Sequence, residues 1–360
     1  MRTIDLELDL RSDAVTTPTE AMWDAMRSAT LGWALVAEDE SVLRLEALAA
    51  ELCGKEAAIF VPTGGLANLI ALLCHAKRGE QAIVEASSHI LWSEELGLSY
   101  VAGLAPRILT GRGGRMDAAD IEAAILETRA GHRPRTAVVC LENTHSFAGG
   151  TVLTADDIGA VCTVARRHDV AVHLDGVRVT NACVALGTTL HELVAEVDSV
   201  AVGLNKGLSA PGGALLCGRR DFIEEARVHC RRLGGASIHQ AGILAAAGLV
   251  ALETMIPRLV HDHERAHTLA RSLALLDGID ISLEAVQTNI VIARLDGTAH
   301  ELCAYLRKRR IGALPYTADL VRLVTHRHVT DASIERVVAE VASLSASGAA
   351  PPESGRRSAR

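Results

Sequence analysis

Between Ile59 and Ala214 the chain repeats one unit: a short apolar run, a break of Gly, Ser, Asn or Asp, then a longer helical stretch. Units of that kind, about 30 residues apart, are βαβ crossovers, and they commit the chain to an α/β fold with a mainly parallel sheet flanked by helices. The expected strands are 57–61 (AAIFV), 81–85 (QAIVE), 136–142 (TAVVCLE), 170–175 (VAVHLD), 198–204 (DSVAVGL) and 213–218 (GALLCG). Helices are expected at 66–76, 155–168 and 189–196, then in RDFIEEARVHCRRLG and in AGILAAAGLVALETM, whose small residues suit a closely packed buried helix. From about Pro257 the text changes to a long charged helix, 261–276, and to strand-like ISLEA, NIVIARL and LVRLVTH separated by the helix HELCAYLRKRR. That pattern reads as a smaller α+β domain. The expected organisation is an amino-terminal segment 1–13, a large domain 14–254, a small carboxy-terminal domain 255–344 and a disordered tail 345–360 rich in Ala, Ser, Pro, Gly and Arg.

Charge narrows the partner. With 44 acidic against 36 basic residues the net charge is -8, which argues against broad binding to nucleic acid or to an anionic membrane. The longest uncharged apolar run, 242–252, falls well short of the ~20 residues a membrane span takes. The start MRTIDLELDLRSD alternates charged and aliphatic residues, unlike a signal peptide, so the cytoplasm is the expected location and a small molecule the expected partner. Eight cysteines stand singly at 53, 74, 140, 162, 183, 217, 230 and 303 with no CxxC pair, which reads as reduced core thiols and not as bridges or a zinc site. HDH at 261–263 and HRH at 326–328 read as helix or loop surface, and no metal site is expected.

In an open parallel sheet, ligands bind beyond the carboxyl ends of the strands. Those ends carry Pro62-Thr63-Gly64-Gly65, His89, Glu142-Asn143-Thr144-His145, Asp175 with Arg178, and Asn205-Lys206. Their spacing of one βαβ unit places all five on one edge. The glycine turn leads into LANLIALLCH, where free amides and the helix dipole favour a phosphate, although a plain strand-to-helix turn also needs glycine. Glu85 would suit a dinucleotide site, but GxGxxG is absent. Only four lysines exist, and Lys55, Lys77 and Lys308 lie in charged or surface text, whereas Lys206 follows a buried strand. A lysine there suits imine formation with a carbonyl, or else anchors a phosphate. Asp175 and Lys206 together suggest pyridoxal 5'-phosphate: the lysine holds the aldehyde, a carboxylate faces the pyridine nitrogen, and Gly64 and Gly65 supply the phosphate site.

The segments DLRSDAVT, GKEAAIFVPTGGLANL, LENTH, HLDGVR, NKGLSAPGG, GILAAAG and VRLVTH, in order from Asp9 to about His326, resemble the threonine aldolase family of fold-type I pyridoxal-phosphate enzymes. The resemblance implies that Lys206 is the Schiff-base lysine, that Asp175 pairs with the pyridine nitrogen, that Arg178 contacts the ring-hydroxyl side and that His89 stacks on the ring. It implies that Ser12 and Arg322 hold the substrate carboxylate and that His145 lies by the substrate's β-hydroxyl, so that His145, or a water held by His145 and His89, is the base. The implied reaction cleaves, or forms, the Cα–Cβ bond of a β-hydroxy-α-amino acid such as threonine, giving glycine and an aldehyde; β-elimination or another carbon–carbon cleavage is the alternative. A homodimer or homotetramer with shared sites is implied as well. The chain departs from the family at an early loop, LGWALVAEDESV with Trp33 in place of a VYGDDP-like sequence, and at Gly65, Asn205 and His239, the last standing where an arginine is usual. Arg231 or Arg232 could replace that arginine. These departures predict altered phosphate contacts and a specialised substrate.

Overall fold

A computed structural model describes residues 6–127 and 133–346; the expected tail beyond 346 lies outside the described residues. The chain forms two units, a larger one of Thr16–Val260 and a smaller one that joins residues up to Val15 with those from His261 onward.

The first strand, β1 (Leu8–Asp9), belongs to the smaller unit. The larger unit then runs α1 (Glu20–Arg27), α2 (Glu40–Cys53), β2 (Ala57–Val61), α3 (Gly64–His75), β3 (Gln81–Glu85), α4 (His89–Trp92) and α5 (Gly97–Tyr100). It continues through β4 (Ala105–Leu109), α6 (Ala118–Glu127), β5 (Thr136–Glu142), α7 (Ala155–Arg167), β6 (Ala171–Gly176), α8 (Val179–Leu186) and α9 (Leu190–Val194). It closes with β7 (Ser199–Gly203), β8 (Ala214–Gly218), α10 (Arg220–Arg232) and α11 (Gly242–Val250), which passes into a π-helical turn at Ala251–Met255. The seven strands order as β2-β8-β7-β6-β5-β3-β4. Strands β3 to β7 pair in parallel, while β8 runs antiparallel to both β7 and β2. Residues 204–213, between β7 and β8, are too few for the crossover of a dozen or more that a parallel return requires.

Every residue of β3, β5, β7 and β8 is buried, as expected of strands covered on both faces. Threonine caps start the helices: Thr63 accepts from Leu66 N–H, and Thr154 and Thr189 form capping boxes with Asp157 and Glu192. All six expected strands are present to within a residue or so. The seventh, β4 (APRIL), has no continuous apolar run, because it is an edge strand with one face exposed.

In the smaller unit, β9 (Ile279–Asp280), β10 (Ile290–Leu295), β12 (Leu314–Pro315) and β13 (Leu320–Val324) form an antiparallel sheet of order β12-β13-β10-β9. Strand β11 (Ile311–Gly312) pairs in parallel with β1. The helices are α12 (Leu259–Leu273), which begins at the boundary, α13 (Ala299–Lys308) and α14 (Asp331–Ala346). ISLEA is not a strand: pairing ends at Asp280, and Leu283–Ala285 make a 3-10 turn that leaves Leu283 exposed. The histidine clusters are surface text only in part: His261 and His328 are exposed. Asp262, His263 and His326 are buried, with Asp262 O accepting from Thr325 Oγ1 at 2.6 Å and His326 Nε2 donating to Asp9 O at 2.7 Å.

The eight cysteines are unpaired and six are buried. Burial pushes the Cys74 and Cys162 thiols up to about 12, as befits unreactive core groups. Among the described residues no single helix is long and apolar enough to cross a membrane.

Candidate active site

The register pairs Glu142 with Asp175, Asp175 with Ala201, and both Gly203 and Val61 with Ala214. The carboxyl ends of β2, β3, β5, β6 and β7 therefore share one edge, and the residues that follow them meet there.

Asp175 lies near the end of β6 almost fully buried, and among the described residues its carboxylate accepts one hydrogen bond, from Val177 N–H at 3.3 Å. Burial, reinforced by the charges of Glu142 and Glu94, pushes its carboxyl up to about 6. His89 opens α4, its backbone N–H held by Glu142 Oε2 at 2.7 Å and its Nδ1 3.1 Å from Glu94 Oε1. A ring nitrogen of His89 and carboxylate oxygens of Glu94 and Asp175 lie within 4.8 Å of one another. Burial opposes a charge on His89, but the Glu94 bond with Asp175 and Glu142 outweighs it, so the ring holds a proton more tightly than usual. The other oxygen of Glu142 accepts from Ser146 N–H at 2.8 Å, and Arg178 Nη1 donates to Ser146 Oγ. Glu142 and Ser146 thus tie His89 and Arg178 to one frame.

Lys206 starts a 3-10 turn with φ +60°, a left-handed backbone that a lysine rarely adopts and that the surrounding structure must hold in place. Its carbonyl accepts from Thr16 Oγ1 at 2.6 Å and from Ser209 N–H at 2.9 Å. At the head of α3 only glycine fits position 64, where a Cβ would lie 2.5 Å from Val177 Cγ2; at Gly65 a Cβ would meet Glu94 at an ordinary 3.5 Å.

His145 is placed differently. Its side chain is 1% exposed, with Nε2 3.2 Å from Glu85 and 3.7 Å from Glu142, while Nδ1 accepts from Ala148 N–H at 3.2 Å. A Cβ on Gly114 would fall 2.3 Å from the ring, so the loop carrying Gly114 is packed directly on it. The two carboxylates raise its proton affinity against burial, yet a second proton would displace the Ala148 N–H. Glu85 would be raised by burial, but the nearby His145 and hydrogen bonds from Ser87 and Gly111 hold it down at about 2.

Ser12 and Arg322 belong to the smaller unit and are neighbours there: Arg322 Nη2 donates to Arg11 O at 3.3 Å, and Ser12 Oγ accepts from Ala14 N–H at 3.2 Å. Sequence reading passed over Asn68, Glu94 and Ser146, and weighed Glu85 only for a dinucleotide site. The readable signal was Asn68, one polar residue in the otherwise apolar first turns of α3. It also passed over Ser88, Thr144 and Ser209, whose buried hydroxyls have no hydrogen-bond partner among the described residues.

Residues 9–296 match the β-eliminating lyase family. The chain is 40% identical over 334 residues to low-specificity L-threonine aldolase 1 of Arabidopsis thaliana, covering 91% of this chain and 93% of that protein. It is 38% identical over 333 residues to the low-specificity L-threonine aldolase of Escherichia coli K12, with 92% and 97% covered. Among solved structures, a Leishmania major threonine aldolase superposes with a TM-score of 0.82 at 20% identity, covering 94% of this chain and 99% of that one. The chain belongs to the β-eliminating lyase family, among its threonine aldolases. Its fold is the fold-type I architecture of pyridoxal-phosphate enzymes.

The threonine aldolase edge fits that cofactor on structural grounds. Asp175 is a buried carboxylate with one backbone hydrogen bond, a poor arrangement by itself and a suitable partner for a cationic ring nitrogen. The head of α3 offers amide donors without side chains in the way. Two of the departures from the family's pattern touch each other: Trp33 Nε1–H donates to His239 Nδ1 at 3.3 Å, the rings meet edge to face, and Ala34 N–H donates to His239 O at 3.0 Å. Arg231 and Arg232 are exposed.

Proposed function

We propose that this chain is a pyridoxal 5'-phosphate-dependent aldolase that cleaves, or forms, the Cα–Cβ bond of a β-hydroxy-α-amino acid such as threonine, giving glycine and an aldehyde. The observation that carries the reading is the buried, singly bonded Asp175 on the same edge as the strained Lys206 turn and His89. When bound, the cofactor supplies a protonated ring that takes up the electron pair released as the bond breaks. Lys206 Nζ would attach the cofactor, and Asp175, whose charge burial and the neighbouring Glu142 and Glu94 disfavour, would be stabilised by a protonated ring nitrogen and would keep the proton there. Thr63, Gly64 and Gly65 hold the phosphate at the head of α3. Arg178, fixed by Ser146, would meet the ring hydroxyl and the substrate, and Arg322, whose planar guanidinium offers two donors, would take the substrate carboxylate with Ser12.

The hydroxyl proton is assigned to His89, not to His145. The His89 side chain is 30% exposed and its Nε2 makes no intramolecular hydrogen bond among the described residues, whereas the His145 side chain is 1% exposed, its Nδ1 taken by Ala148 N–H and its Nε2 closed in beside Glu85 and Glu142 without a hydrogen bond among the described residues. His145 then serves to keep Glu85 and Glu142 in place. A homodimer or homotetramer agrees with the exposed apolar residues Leu31, Trp33, Leu35 and Val36 of the early loop, and a cytoplasmic location agrees with eight unpaired cysteines.

The test is aldehyde release. Purified protein supplied with pyridoxal phosphate should turn threonine or phenylserine into glycine and the matching aldehyde. Pyruvate and ammonia instead of glycine would replace the aldolase with β-elimination.

A further inference from the structure

Behind His89 a line of polar side chains passes through the core of the larger unit. His75 Nε2 lies 2.7 Å from Ser199 Oγ, Ser199 Oγ 2.9 Å from His173 Nδ1, and His173 Nε2 3.1 Å from Asn68 Oδ1. Asn68 Nδ2 then donates to Glu94 Oε1 at 2.8 Å, the oxygen that His89 Nδ1 also approaches. Asn68, His173 and Ser199 are fully buried. The fold builds the line from two simple repeats. Asn68 and His75 are seven residues apart, on one face of α3, and His173 and Ser199 are register partners on β6 and β7. At its far end His75 lines a polar cavity of about 320 Å³ with Arg135, Arg166 and Asp198.

The chemistry of the groups sets the direction of every bond. A carboxylate only accepts, so Asn68 must turn its NH₂ toward Glu94 and its oxygen toward His173. His173 Nε2 must therefore carry a proton. Burial, with His75 beside it, pushes His173 down to about 3, so the ring is neutral and Nδ1 must accept from the Ser199 hydroxyl. Ser199 in turn accepts from His75 Nε2–H, itself neutral because burial pushes it down to about 4. An amide in the middle cannot pass a proton along, so the line fixes geometry and polarity and does not conduct.

We propose that Glu94 is a positioning residue for His89, and that Asn68, His173, Ser199 and His75 hold its carboxylate through a hydrogen-bond chain with one fixed direction. This rests on the reading of His89 as the group that works over the cofactor. By keeping the His89 proton on Nδ1, Glu94 leaves Nε2 as the nitrogen that exchanges a proton with substrate; Glu142 and Asp175 are the other charges that face the ring.

Two measurements test it. In the full protein labelled with ¹⁵N-histidine, long-range proton–nitrogen spectra should show His173 and His75 as neutral Nε2–H tautomers throughout pH 6–9, assigned with His173→Gln and His75→Gln. An Nδ1–H tautomer or a titrating ring at either position overturns the chain, whatever the activity is. In kinetics, Glu94→Gln should lower kcat about 10–100-fold, the usual scale for losing an orienting partner, with KM little changed. It should also move the acid limb of the kcat profile to lower pH; Asn68→Asp, which sets a second carboxylate against Glu94, should lose as much, and His173→Gln, which keeps the donor to Asn68, should retain most of the rate. A Glu94→Gln enzyme with wild-type kcat and pH profile overturns the positioning role. A silent His89→Phe sinks the functional reading instead, and the spectra still decide the chain.

Discussion

One sheet edge carries two halves with opposite electrostatics. On the side of β3 and β5, Glu85 and His145 are closed in: the carboxylate collects donors from Ser87 and Gly111, lies 3.2 Å from His145 Nε2 and is held at about 2. On the side of β6 and β7, Asp175 collects one backbone N–H and is pushed up to about 6. Both follow apolar strands and both are buried; donors offset burial at Glu85, whereas at Asp175 burial is reinforced by the charges of Glu142 and Glu94. A satisfied buried charge is architecture; an unsatisfied one at the mouth of a parallel sheet is a place kept for a ligand. The same division sorts the histidines, with His89 beside the open half and His145 sealed in the closed one.

The sharpest way to break this division is to exchange the histidines' fates. His89→Phe keeps a flat ring and removes the nitrogens, and kcat for threonine should fall about 10²–10⁴-fold, the usual worth of a positioned acid–base group. His145→Gln should cost less than about tenfold in kcat while lowering Tm, as read by steady-state kinetics and thermal unfolding. A larger kcat loss in the second variant than in the first would reverse the assignment.

Gly114→Ala probes the seal over His145. With φ +80° and a Cβ 2.3 Å from the ring, the change should cost about 1–3 kcal/mol in calorimetry while Lys206 chemistry is retained.

How much of this could be read from the chain depends on the kind of information each part needs. Strand ends are local, and βαβ spacing sent Gly64, His89, His145, Asp175 and Lys206 to one edge without any structure. Burial of a side chain at that edge is not local. His145 is sealed by Gly114, which lies about 30 residues earlier, and Glu94 gains its role from Asn68, a helix away. The direction of β8 was equally hidden until the length of its connection was weighed. HDH and HRH misled in part because charge suggests surface, while Asp262 O accepts from Thr325 Oγ1 and His326 Nε2 donates to Asp9 O, partners far along the sequence.

Opposite shifts demand opposite pH responses. Glu85 binds its proton more weakly folded, at about 2, than unfolded, at about 4.3, so it adds stability above pH 4.3 that is lost as pH falls toward 2. Asp175 binds more tightly folded, at about 6 against about 3.9, so cofactor-free protein loses stability as pH rises from 4 through 6. Asp175→Asn should therefore raise the Tm of cofactor-free protein at pH 8 by several degrees, 1 kcal/mol being worth about 2–4 °C at this size, and weaken cofactor binding. Glu85→Gln should lower Tm at pH 6, with the gap to wild type closing by pH 2. The smallest effect belongs to Trp33→Phe, which removes one exposed hydrogen bond to His239 and should change stability by less than about 0.5 kcal/mol; its informative readout is KM for aromatic against aliphatic substrates.

The central claim is that Lys206 and Asp175 form a pyridoxal-phosphate site. Lys55 is the natural control, since burial lowers its proton affinity, but its Nζ is spent on Ala195 O at 3.0 Å and Val197 O at 2.7 Å. Protein incubated with pyridoxal phosphate should be reduced with borohydride, digested and mapped by mass spectrometry. A pyridoxyl group on the Lys206 peptide, absent in Lys206→Ala, is the predicted result. A label on Lys55, or on no lysine, would contradict the account.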